Sequence, residues 1–208
     1  YITGLYNSAN LAVSGLDFDV FQKAMTGFLN LKNKGAVSAE KNILTIVDFN
    51  QVSSKKRMWI LDVAANKLLF NTLVAHGRGS GGDKATAFSN TNESHQSSLG
   101  FYLTNETYFG KHGLSLRLDG LDAGQNSNAR ARAIVVHGAD YVSEGTVKAL
   151  GRLGRSHGCP AIPQALTKPI IETIKGKTVM FINGPSEKYQ SNLLDELSAS
   201  SMVSRLFN

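Results

Sequence analysis

The feature that most limits the fold is a change of pattern at Asn42. From there the apolar residues come in short, β-branched or aromatic runs closed by turn residues. Ile43 to Phe49 is the first, Met58 to Val63 the second and Leu68 to Ala75 the third, separated by Ser53-Ser54-Lys55-Lys56 and by Ala64 to Lys67. Runs of this length between polar turns read as neighbouring strands of a β-meander. Further strands are expected at Ser98–Thr104, Leu114–Leu118, Ala133–Val136 (ending on His137-Gly138) and Thr178–Ile182, with Gly110 and Gly113 bracketing a turn. The polar, glycine-rich stretch from His76 to Gln96 reads as a loop, and loops this long in a compact domain usually serve function. Gly120 to Arg132 reads as irregular.

Helical signals lie at the ends and in the connections. Phe18, Phe21, Met25, Phe28 and Leu29 recur at helical spacing behind Asp17, placed as a cap, and Asn33 to Gly35 would stop that helix. Asp140 to Leu150 reads as a short helix. Thr167 reads as the N-cap of another, with Pro169 in its first turn and an end near Lys175-Gly176. The expected organisation is an N-terminal helical segment, 1–41, packed on the core; a main domain, 42–184; and a C-terminal tail, 185–208. Within the tail, Leu193 to Leu206 is weakly amphipathic and either docks as a helix or stays disordered. The fold class is mainly β with α elements.

With 208 residues, 42% of them hydrophobic, the chain can bury one sizeable core. No run approaches the ~18 apolar residues of a membrane span. The net charge of +6 is scattered, and its densest run, Lys55-Lys56-Arg57, sits in a turn, so no nucleic acid partner is expected. His76 to Asp83 resembles a phosphate cradle only in its glycines: no Gly-Lys-Ser/Thr ending follows and no strong helix opens after it.

The single cysteine, Cys159, lies in Ser156-His157-Gly158-Cys159-Pro160. It cannot form an internal disulfide. A cysteine nucleophile needs a base or positive potential nearby. His137 and His157 are the candidate bases, and Arg152 and Arg155 just before the run would add positive potential. Gly158 allows close approach and leaves backbone N–H groups free to face a developing oxyanion. Two other readings stand beside this one. Cys159 is a buried, inert thiol, or His137, His157 and Cys159 hold zinc; against zinc, there is no CxxC, HExxH or second thiol. The His-before-Cys order departs from papain-like peptidases, and the Gln-Ala-Cys of caspase-like enzymes is absent.

His137-Gly138 followed by Ser156-His157-Gly158-Cys159 resembles the signature of the L,D-transpeptidase (YkuD-type) catalytic domain, in its murein L,D-transpeptidase branch. Supporting stretches are Leu44 to Phe49, Val74-Ala75-His76-Gly77-Arg78, Phe88-Ser89-Asn90, Ser97 to Gly100, Ile134 to Ala139 and Gly154-Arg155-Ser156, so the resemblance covers roughly residues 5 to 184. It implies a mixed β-sandwich or barrel that acts on peptidoglycan stem peptides, with no metal and no cofactor. It implies that Cys159 attacks the carbonyl of the third stem residue, expels the terminal D-alanine and passes the acyl group to the amine of a second stem, giving a 3→3 cross-link. Water as acceptor would make the protein an L,D-carboxypeptidase; a degenerate wall-binding module is the non-enzymatic alternative.

By position the resemblance makes Cys159 the nucleophile and His137 the base. His157, Gly158 and the Cys159 backbone N–H shape the oxyanion site, and the Gly138 carbonyl orients the imidazole. Ser156, Arg155, His76 with Arg78, and Ser98 are the substrate-side candidates. Tyr102 and Trp59 are expected to pack, and His95 and His112 to lie in surface loops. Many relatives carry Asn or Arg one or two positions after the Cys, where this chain has Pro160-Ala161. The resemblance further implies an extracytoplasmic place of work, in periplasm or cell envelope. The chain opens on Tyr1 rather than Met, and a removed signal peptide is the expectation.

Overall fold

A computed structural model describes residues 1–206 of the chain. Its strands are β1 (Ile43–Asp48), β2 (Met58–Asp62), β3 (Lys67–Thr72), β4 (Gly100–Gly110), β5 (Gly113–Gly120), β6 (Val135–Ala139), β7 (Ala161–Pro163) and β8 (Val179–Asn183). Its helices are α1 (Ile2–Ser8), α2 (Phe18–Asn33), α3 (Glu144–Leu150), α4 (Thr167–Ile174) and α5 (Glu196–Leu206).

All the strands join one sheet in the order β3-β2-β1-β8-β4-β5-β6-β7. β1 with β8 and β6 with β7 are parallel, and the other pairings are antiparallel. Past β3 the chain runs on to Ala75, which bridges Ala161 of β7, while Gly77 bridges Ser156. The two ends of the strand order thereby meet, and the sheet is a nearly closed barrel with helices packed against it.

Strands β1 and β2 are buried on both faces because each face has its own cover, whereas β3 at the end of the strand order is only half-buried. Val47, Ile60, Tyr102, Leu116, Leu118, Val136, Ile162 and Met180 form one core with Ile170, Ile171 and Ile174 of α4. Leu44, Ile46, Trp59, Leu61, Phe101, Val179 and Phe181 point the other way, to a second core with α2. The alternation follows from the two-residue repeat of a strand. The Asp17 carboxylate accepts the N–H groups of Asp19 and Val20 and caps α2 as its position predicts. The helix then lies so close to β4 that a Cβ on Gly27 would stand 2.1 Å from the Phe101 ring.

The tail docks as a helix. Ala199 joins the α2 core, with Met202 and Val203 packed against it, and the Asn30 side chain donates to the carbonyls of Leu193 and Asp195. The last two residues of the tail, 207–208, lie outside the described residues. Asp122, on the opposite loop, accepts from Tyr189 and Ser191 and ties the tail to residues 121–133.

Several boundaries differ from the sequence expectation: α3 starts at Glu144 rather than Asp140, β3 ends at Thr72 rather than Ala75, and three further differences bear on the site. The β4–β5 hairpin is longer at both strands. Its polar residues read as loop, yet they pair across the hairpin: Arg117 with Glu106, Asn105 with Asp119, and the Arg117 guanidinium 4.5 Å from the Tyr108 ring. β6 starts two residues later than expected, because Ala133 takes a positive φ and Ile134 bonds back to the Ala129 carbonyl. The strand runs on to Ala139, so His137 is mid-strand, not a strand end. Thr167 is the first residue of α4 rather than its cap; its hydroxyl donates back to the Pro163 carbonyl, and Leu166 holds the cap position.

Candidate active site

The barrel seam builds the turn that carries Cys159. Ser156 N–H donates to the His76 carbonyl (3.0 Å), and Arg78 N–H donates to the Ser156 carbonyl (2.8 Å). The buried Ser156 hydroxyl donates to the Cys159 carbonyl (2.6 Å) and accepts the Gly158 N–H (3.1 Å). The Ser97 hydroxyl links both sides of the seam, donating to the Gly158 carbonyl (3.1 Å) and accepting the Gly77 N–H (3.0 Å). Gly158 has φ 122°, and a Cβ there would lie 2.8 Å from the Gln96 carbonyl oxygen. Only glycine fits this turn. Its N–H is spent on Ser156, so it does not face outward as the sequence reading anticipated.

His137 is fixed by the sheet. It pairs with Ser115 of β5 and Ala161 of β7, which puts it on the strand beside the one that Cys159 leads into. Its Nδ1 lies 2.9 Å from the Gly138 carbonyl oxygen. A carbonyl only accepts, so Nδ1 carries the hydrogen and Nε2 keeps its lone pair. Burial pushes the imidazole pKa below the ordinary histidine value; the Gly138 carbonyl opposes this and His112 adds to it. Thus His137 is neutral at neutral pH.

Cys159 is half-buried, and its Sγ contacts the Ala133 carbonyl at 3.7 Å rather than His137. Burial raises the thiol pKa. The Val135 N–H, the charge of Arg132 and the N–H of Cys159 itself oppose that rise. The positive potential felt by the sulfur therefore comes from Arg132. Arg152 turns to the Leu153 carbonyl and Arg155 to the Gly81 carbonyl, 2.9 Å away.

A basic rim surrounds this centre. Of the five histidines, four form two stacks: His112 on His137 at 4.3 Å between ring centroids and His95 on His157 at 4.4 Å. Arg78 donates from Nε and Nη2 to Nδ1 of His95 (3.1 and 2.8 Å). His157 is exposed, and its pKa is lowered by partial desolvation and by Arg78, His95, Lys111 and His112. His95 and His112 are thus rim residues rather than ordinary surface loop positions. His112 reaches His137 because the Ser115–His137 register folds the hairpin tip over β6, and no local sequence signal marks that register.

Two substrate-side candidates lie elsewhere. His76 is fully buried behind the turn, with Nδ1 2.8 Å from Arg57, and burial and that guanidinium push its pKa down to about 4. Ser98 is also buried, and its hydroxyl donates to the Ser89 carbonyl and accepts from Arg132. Arg78 stands on the rim. Arg132 was missed in sequence: it lies in a stretch read as irregular, away from the Cys159 run. Among the described residues, no three His, Cys, Asp or Glu side chains gather as a metal ligand set. No described helix is long and apolar enough to cross a membrane.

No curated protein matches the chain significantly. Among solved structures, an L,D-transpeptidase from Mycobacterium smegmatis is 11% identical, with 68% of this chain matched to 58% of that one at a TM-score of 0.42. The helical cell shape determining protein of Campylobacter jejuni is 12% identical over 88% of this chain and 64% of its own (TM-score 0.44). An L,D-transpeptidase of Stackebrandtia nassauensis is 16% identical over 81% and 67% (TM-score 0.41). The chain spans less than two thirds of the length of the first two. The family model for the L,D-transpeptidase catalytic domain matches residues 12–183, a span that takes in Cys159, both histidine stacks and the barrel seam, and the chain belongs to that family.

Proposed function

We propose that the protein is a peptidoglycan L,D-transpeptidase that works through a Cys159 thioester. The observation that carries this reading is the pairing of β6 with β7, which sets a neutral, carbonyl-oriented His137 on the strand next to the one Cys159 opens.

The Cys159 side chain turns from the Ala133 carbonyl toward His137, and Nε2 takes the thiol proton. The sulfur attacks the carbonyl carbon of the third residue of a tetrapeptide stem. A C–S bond forms, the oxyanion collapses, and the C–N bond to D-alanine breaks as the His137 imidazolium returns the proton to the leaving amine. An acceptor amine then attacks the thioester, gives its proton to His137 and releases the sulfur, leaving a 3→3 cross-link. Gly158 N–H is bonded to Ser156, so the oxyanion falls to the His157 and Cys159 N–H groups. The Gly138 carbonyl has the orienting part of a third triad member. Arg78 and Lys111 give the rim a charge suited to stem carboxylates, and Ser156, Arg155, His76 and Ser98 shape the site from behind. The place of work is outside the cytoplasm, where the polymer is.

Intact mass spectrometry after incubation with a carbapenem tests the nucleophile. One adduct is expected, absent in Cys159→Ser. An unmodified wild-type protein under conditions that acylate another family member sinks the reading. Incubation with a disaccharide-tetrapeptide then tells cross-linked dimer from trimmed tripeptide; tripeptide alone would make the protein an L,D-carboxypeptidase.

A further inference from the structure

Arg132 is a cation without a counter-ion. From the loop before β6, its Nη1 donates to the Ser89 carbonyl (2.7 Å) and the Ser98 hydroxyl (2.6 Å), and its Nη2 donates to the Gln96 carbonyl (2.7 Å) and the Ser94 hydroxyl (3.1 Å). All four acceptors are neutral. Its Nε is buried without a hydrogen-bond partner, and among the described residues no carboxylate lies within ion-pair distance. The guanidinium is half-buried, and desolvating a charge without an opposite partner is costly. The other arginine cations nearby are used differently: Arg130, two residues away, is paired with Glu106 and Asp119 at the surface.

Arg132 lies against the turn that carries Cys159. A Cβ at Gly158 would lie 3.4 Å from Nη2, one residue from Cys159. Cys159 and Arg132 each feel the other's charge. The bonds to Ser89, Ser94, Gln96 and Ser98 hold the fork still, so little reorganisation is needed when negative charge develops on the sulfur.

We propose that Arg132 is the fixed countercharge of the Cys159 thiolate, held by the 89–98 loop and left unpaired so that its field is spent on the sulfur. The proposal rests on Cys159 being the nucleophile. As the thiol proton passes to His137 Nε2, Arg132 balances the charge left on Sγ, and it does so again when the thioester breaks and sulfur leaves. A brace that merely holds the 89–98 loop would have the same hydrogen bonds and no such effect.

The test is the pH profile of Cys159 alkylation by iodoacetamide, in which thiolate displaces iodide, for the wild type, Arg132→Gln and Ser98→Asp. Arg132→Gln is expected to move the midpoint up by about one pH unit or more, the size set by removing an opposite charge at short range. Ser98→Asp leaves Arg132 in place and gives it the carboxylate it lacks; the midpoint is again expected to rise. A structural brace would change the melting temperature or the plateau rate without moving the midpoint, and a folded Arg132→Gln protein with the wild-type midpoint overturns the proposal. If Arg132→Gln does not fold, Arg132→Lys decides: it keeps the charge and loses the fork, so a countercharge predicts a midpoint near the wild type, and a midpoint raised by a unit or more overturns the proposal. The carbapenem adduct separates the two failures: no adduct on the wild type sinks the nucleophile itself, whereas an adduct with unmoved midpoints sinks only the role of Arg132.

Discussion

Of the four His-Gly dipeptides in the chain, His76-Gly77 and His137-Gly138 both lie buried beside the Cys159 turn, and they differ in what faces Nδ1. At His76-Gly77 the partner is the Arg57 guanidinium, which only donates, so Nδ1 accepts and Nε2 carries the hydrogen. At His137-Gly138 the partner is the Gly138 carbonyl, and the tautomer is reversed. Both rings have a lowered pKa, and burial is the largest cause in each. His76 is sealed in the core and holds the turn through its main-chain carbonyl, whereas His137 keeps a free lone pair under the stacked ring of His112. The same two letters make a strut in one place and leave an imidazole lone pair free in the other, and the nearest polar neighbour decides which.

The contrast breaks most readily at His137. His137→Ala is expected to slow acylation by a carbapenem by about 10²–10⁴-fold, the usual contribution of a positioned base, with a melting temperature near that of the wild type. A large loss of thermal stability with little change in rate would reverse the assignment. His76→Ala should do the opposite. It leaves a fully buried guanidinium short of an acceptor, and denaturant unfolding should show a loss of about 2–4 kcal/mol, while the rate per folded molecule stays within about tenfold.

A subtler difference lies in pH. The His76 pKa is depressed to about 4, so below the ordinary histidine value the unfolded chain binds a proton that the folded chain refuses. Stability should therefore fall as pH drops from about 6.5 toward 4, by up to ~3 kcal/mol at the low end, and that portion should vanish in His76→Ala. Unfolding curves with the same pH dependence in both proteins would show that His76 titrates normally. The smallest effect concerns His112, which helps to lower the His137 pKa. His112→Ala should shift the acid limb of the acylation rate upward by a fraction of a pH unit, read from the rate against pH; an unmoved limb would leave the stack without electrostatic consequence.

Much of this was legible in the residues. The apolar runs at 43–49, 58–63 and 68–75 lie in strands or their extensions because a short, β-branched apolar run closed by turn residues is a local signal. Asp17 caps its helix because a cap depends on the next three residues. Cys159 and the histidines stood out through a motif. What stayed hidden is set by register. Arg132, His95 and His112 come to the site from three separate segments, brought there by the β5–β6 pairing and by the bonds across the seam. β7 was missed since three residues between a turn and a helix carry no periodicity. His76 stood among the substrate-side candidates because its buried partner, Arg57, looked like part of a charged turn.

The bridge between Ala75 and Ala161 has a kinetic side. It joins segments far apart in sequence, and closing such a loop costs chain entropy before any contact repays it. The meander and the β4–β5 hairpin can form from near neighbours, but Ser156 and Gly158 acquire their partners across the seam only when that bridge is made. The seam around Cys159 should thus be among the last things the chain assembles. During refolding, acylation by a carbapenem should lag behind the appearance of β-structure, and an incompletely folded molecule carries an unarmed thiol.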